Sequence, residues 1–176
     1  VKTNIGSSIW YRTKTKAGAY TFDTYNATSH EGTNTNGISA VTGLIPPMQT
    51  VWVRVADGQT SGSVTFNNGM RSHKAGGATA LKIRADKDEV QQSVHLTVSN
   101  GINTDETILV FHPEASNELD AYDSEKMSNN NSAIPEIFTK TANHALVING
   151  MSEIPTDSII SLGFTTLSAG NFTISA

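Results

Sequence analysis

Val90-Gln91-Gln92-Ser93-Val94-His95-Leu96-Thr97-Val98, then Asn100-Gly101, then Thr107-Ile108-Leu109-Val110-Phe111 is the stretch that decides the fold class. Val90, Gln92, Val94, Leu96 and Val98 share one face of an extended chain, because side chains alternate with period two along a strand. Asn-Gly is a strong hairpin turn signal, since both residues tolerate positive φ. Ile108-Leu109-Val110-Phe111 is apolar without alternation, as a strand covered on both faces would be. A turn-linked pair of this kind predicts antiparallel β structure.

The rest of the chain repeats the pattern. Ser8 to Arg12 and Tyr20 to Tyr25 are aromatic and β-branched runs joined by a polar turn, which predicts a hairpin. In Val51-Trp52-Val53-Arg54-Val55 the valines alternate, so they are expected in a core with Trp52 and Arg54 on the outer face. Ile45-Pro46-Pro47 bars a helix. Asn26 to Gly43 has loop composition. Further strands are expected at Val64 to Phe66, Leu81 to Ala85, Ile137-Phe138, Ala145 to Ile148, Ile159 to Phe164 and Asn171 to Ser175. Only Asn117 to Asn131 has helical potential, a turn or two around Ser124 to Met127. The fold class expected is all-β: an antiparallel β-sandwich, jelly-roll or immunoglobulin-like. It is either one sandwich or two small packed ones, residues 1–75 and 78–176, divided within Ser72 to Gly77. Val1 and Ala176 read as cuts, so both modules are expected to be truncated pieces of a longer secreted protein.

Composition excludes several function classes. Net charge is −4 and the twelve Lys and Arg are scattered, so no nucleic-acid partner is expected. With no cysteine there is no disulfide, thiolate metal site or thiol nucleophile. No apolar run is long enough for a helical span, and no membrane insertion is expected.

A set of motifs carries a family resemblance. Ile45-Pro46-Pro47-Met48-Gln49 runs into Trp52-Val53, and Val64-Thr65-Phe66-Asn67-Asn68-Gly69-Met70-Arg71 follows. Leu119-Asp120-Ala121-Tyr122-Asp123-Ser124-Glu125-Lys126-Met127 and Ala145-Leu146-Val147-Ile148-Asn149-Gly150 come later, then Ile160-Ser161-Leu162-Gly163-Phe164 and Ala169-Gly170-Asn171-Phe172-Thr173. Together they resemble the β-rich region before the C-terminal sorting domain of Bacteroidetes proteins exported by type IX secretion. The resemblance implies a non-catalytic segment of adhesins, hydrolases and other surface proteins, placed outside the cell or on its outer surface. Its partners would be the flanking domains of the same polypeptide.

Candidate sites are few. Glu114, Glu118, Asp120, Asp123 and Glu125 form an acidic loop whose carboxylates suit calcium. Asp120, Asp123 and Glu125 are the candidate ligands, against the ordinary reading of a solvated loop beside Lys126. Trp10, Tyr11, Tyr20, Tyr25 and Trp52 make the first half aromatic. A carbohydrate- or protein-binding face is one reading, with Trp52 foremost and Trp10 and Tyr25 beside it; core filling is the other. His30, His73, His95, His112 and His144 lack metal-ligand spacing, although His95 and His112 lie on or beside strands that could meet. There is no Gly-x-Ser-x-Gly elbow, so no enzyme is expected. Asp157-Ser158-Ile159 resembles a Bacteroidetes O-glycosylation sequence, or a turn before a strand. An unpaired edge at Asn171 to Ser175 would permit self-association.

Overall fold

The computed structural model describes residues 1–71, 91–141, 143–157 and 159–176. The expected module boundary at Ser72 to Gly77, the strand at Leu81 to Ala85 and Ser158 of the glycosylation sequence lie outside the described residues. The fold is all-β and sandwich-like, with twelve strands among the described residues.

Three strands form the smaller sheet. β2 (Ile5–Lys14) pairs antiparallel with β3 (Tyr20–Asn26) on one side and β4 (Val51–Val55) on the other. The hairpin turn between β2 and β3 requires Gly18 at φ +85°. β1 (Lys2–Thr3) and β5 (Ser63–Val64) make a two-residue pair beside it.

The larger sheet runs in the order β11 (Leu162–Thr165), β9 (Glu136–Lys140), β10 (Ala145–Met151), β7 (Thr104–Phe111), β6 (Gln92–Ser99), β12 (Thr173–Ser175), with β8 (Ser124–Glu125) on β10. β6 and β7 form the hairpin that Asn100-Gly101 predicts: Asn100 Oδ1 accepts the N–H groups of Ile102 and Asn103, and Gly101 sits at φ +85°. β7 is buried on both faces from Asp105 to Phe111, as its unbroken apolar run implies. It pairs parallel with β10, the exception in a sheet otherwise antiparallel. Ile108, Val110, Val147 and Ile148 form the core there. The sheet curls: Phe164 on one edge strand and Phe172, next to the other edge strand, stack edge-on at 5.1 Å.

Two expectations are corrected. The stretch Ser124 to Met127 is not helical; Ser124 and Glu125 are a short strand on β10, because the surrounding backbone carbonyls are taken by the smaller sheet. On β4 the valines do not all face a core. β4 is an edge strand, Val51 and Val55 are half-buried, and Val53 is 43% exposed.

Between the sheets the packing is polar. Asn26 is fully buried and its Nδ2 donates to the carbonyls of Ala121 and Asp123, each at 3.0 Å. Its Oδ1 accepts the N–H groups of Thr28 and Ser29. Asp23, also fully buried, accepts from Thr13 and Thr33 hydroxyls, Asn36 Nδ2 and the Thr35 N–H. The Asn26 to Gly43 segment is thus a loop by geometry but a buried one, with Thr33 and Thr35 sealed from solvent. Asp105 pairs with Lys126 and accepts from Thr35 and from the Ile137 N–H. These bonds tie the first 36 residues to residues 105–137, so the two sequence halves share one interior.

Candidate functional site

Strand register places the candidates. Directly opposed residues in an antiparallel pair share a face, and so do residues two apart. Trp10 lies opposite Trp52, Arg12 opposite Phe22 and Lys14 opposite Tyr20. Trp10, Arg12, Lys14, Tyr20, Phe22, Trp52 and Arg54 therefore occupy one face of the smaller sheet. Tyr25 pairs with Ile9 and belongs to the other face, where its hydroxyl lies 3.1 Å from His30 Nδ1. Burial and the Glu31 carboxylate raise its pKa. Of the three aromatic candidates, Trp10 and Trp52 come together and Tyr25 does not join them.

One end of this face is a cleft of about 350 Å³. Trp10, Arg54, Asp57, Asp120, Asp123 and Glu125 line it. The three acidic candidates thus meet Trp10, over a hundred residues away in sequence. Trp10 is only 6% exposed, and its Nε1 donates to the Glu125 carbonyl at 3.0 Å, so its ring is a wall rather than a platform. Arg54, which the aromatic and acidic candidates leave out, bridges Asp57 and Glu125. Its alternation with Trp52 was the signal that placed it on this face.

The carboxylates of Asp120, Asp123 and Glu125 are occupied by the protein itself. Asp120 accepts the N–H groups of Ser116 and Tyr122. Asp123 accepts those of Asp120 and Gly150, each at 2.8 Å. Glu125 meets Arg54 with one oxygen and His144 Nδ1, at 2.8 Å, with the other. Calcium takes six to eight oxygens as a rule, and each of these carboxylates already accepts from donors of the protein. Among the described residues no three His, Asp or Glu side chains converge as a metal requires. Burial pushes the Asp123 carboxyl up to about 6, against the opposing pull of its two backbone donors.

The other end is an open strip of rings and cations. Trp52, 40% exposed, meets Phe22 edge-on at 5.3 Å. The Arg12 guanidinium carbon lies 4.5 Å from the Phe22 ring centre and 5.5 Å from that of Tyr20. Lys14 Nζ lies 4.8 Å from the Tyr20 ring centre, and Tyr20 is 52% exposed. The alternation Trp10-Arg12-Lys14 against Tyr20-Phe22 carried this arrangement in sequence, once the hairpin register was known.

His73 lies outside the described residues, and the described histidines disperse. His95 and His112 do not meet: His112 stacks on Tyr122 at 4.8 Å, while His95 Nδ1 lies 3.0 Å from Glu106 Oε1. Ser93 Oγ lies 3.4 Å from His95 Nε2, which puts serine, imidazole and carboxylate in series. Glu106 also accepts the Asn34 N–H, which pins the Asn34 loop to the sheet. None of the three lines the cleft.

No curated protein and no solved structure matches the chain. Over residues 2–176 the sequence matches the model of a family described as "Domain of unknown function (DUF8693)", and the chain belongs to that family.

Proposed function

We propose that the chain is a non-catalytic structural module of a secreted or cell-surface bacterial protein, holding the flanking domains of the same polypeptide at a fixed separation. The observation that carries this reading is how the buried charges are spent. Asp23, Asp105 and Lys126 are sealed among donors and acceptors from distant parts of the chain, and Asp123, which lines the cleft, accepts the N–H groups of Asp120 and Gly150 with its two oxygens. A catalytic acid or base must present its proton to a substrate. These carboxylates instead accept from the protein's own N–H groups. The motif resemblance to segments preceding a type IX sorting domain supports placement outside the cell.

The test is turnover. Ester and polysaccharide hydrolysis are measured for the wild type, Ser93→Ala and Asp123→Asn. The reading expects no turnover from any of them, and a lower stability for Asp123→Asn. Hydrolysis by the wild type that is lost in either variant, with the variant still folded, would overturn it.

A further inference from the structure

We propose that the Trp52–Phe22–Arg12–Tyr20–Lys14 strip binds an acidic glycan, a polymer whose sugar units carry carboxylates. The proposal goes beyond the structural role and does not depend on it.

Three features converge on this strip. The first is shape. It is an open sheet face rather than a cavity, and strand geometry sets Tyr20 and Phe22 about 7 Å apart along β3. Such a surface accepts an extended polymer in contact with several units at once. The second is ring chemistry. Trp52 and Tyr20 are large, half-exposed and held by neighbours, Trp52 by an edge-to-face contact with Phe22 and Tyr20 by the two cations over its ring. Rings fixed in this way offer apolar area to the C–H face of a sugar with little ordering left to do.

The third is charge. The protein as a whole is −4, yet Arg12 and Lys14 lie side by side here, and among the described residues neither has a carboxylate partner. Arg54, Lys126 and their acids are paired elsewhere. The Arg12 guanidinium makes one weak bond to Asn129 Oδ1, at 3.4 Å, and its carbon lies over two rings. A guanidinium over rings keeps N–H donors for an incoming carboxylate, which Arg can engage as a bidentate pair. A neutral glycan would leave both cations without a counter-charge. A ligand that alternates a flat C–H face with a carboxylate satisfies rings and cations together.

The experiment uses the full chain and polygalacturonate as probe, with unsubstituted xylan and oligo(dT) as comparisons. Affinity is measured at two salt concentrations. The proposal expects polygalacturonate binding that weakens with salt. It expects about a tenfold loss in Tyr20→Ala and in Lys14→Gln, two exposed positions whose variants should keep the wild-type melting temperature. No binding to polygalacturonate, or binding that both variants retain, would overturn it. Equal affinity for xylan would overturn the acidic specificity, and tighter binding of oligo(dT) through the same residues would reassign the strip to nucleic acid.

Discussion

Replacing Asn26 with alanine should remove a joint between the two sheets at a single position. Asn26 has no solvent exposure, and its amide makes bonds in both directions: to the carbonyls of Ala121 and Asp123, and from the N–H groups of Thr28 and Ser29. Truncation leaves those groups without a partner. The Asp123 carbonyl and the Ser29 N–H are the buried ones. At ~1–3 kcal/mol for each buried group left unsatisfied, the expected loss is about 4 kcal/mol. That is a large share of the ~5–15 kcal/mol by which domains are stable, and for a chain of this size it lowers the melting temperature by about 10 °C. Urea unfolding followed by tryptophan fluorescence reads it, since buried Trp10 bonds to Glu125 beside this joint. Asn26→Asp is the discriminating partner variant. It keeps the acceptor oxygen for Thr28 and Ser29 but turns an oxygen towards two carbonyls. At neutral pH it should be at least as unstable as the alanine variant. Burial against carbonyls raises the folded-state pKa of the new acid above its unfolded value near 4. Its stability should therefore recover as pH falls and be lost as pH rises through that window. A loss under 1 kcal/mol for Asn26→Ala, or an Asn26→Asp variant matching wild type at neutral pH, would refute the reasoning.

Lys126→Met should cost about 3 kcal/mol, because it strands the buried Asp105 carboxylate, and adding Asp105→Asn should restore most of it; two losses that simply add would contradict the pairing. Asp123 titrates near 6 when folded because burial disfavours its charge, so the folded protein holds a proton there that the unfolded chain releases from pH ~4 upward. Its contribution to stability therefore falls by about 2 kcal/mol between pH 4 and 7. Asp123→Asn should flatten that fall, leaving the slope of the same sign from Asp23, also raised by burial. Urea midpoints at the two pH values check this, and an unchanged slope in the variant would count against it.

The parts of the fold legible in the sequence are those fixed by near neighbours. Asn100-Gly101 and the apolar run to Phe111 gave the central hairpin because turn chemistry and burial act within twenty residues. The Trp10-Arg12-Lys14 alternation held the ring–cation strip in the same way, hidden only by the need for the β2–β3 register. What could not be read was long-range. Asn26 to Gly43 has the composition of a surface loop, yet Thr33 and Thr35 are sealed because a buried Asp23 needs their donors. The backbone donors that the acidic loop's carboxylates accept from, Gly150 and Ser116 among them, are invisible in a list of side chains. The same blindness made Ser124 to Met127 read as a helical turn, since its strand partner Leu146 and its anchors Ser8 and Asn26 are far away in sequence.

A rigid spacer must hold its ends at one distance, and the absence of cysteine allows two introduced cysteines to be labelled uniquely. Lys2→Cys and Ala176→Cys, both at exposed positions, report the end-to-end distance by single-molecule energy transfer. The polar braces between the sheets predict one narrow distance distribution that persists up to the urea midpoint and then vanishes in a single step. A broad distribution in native buffer, or separate unfolding of the two sequence halves, would contradict a module built to hold a fixed span.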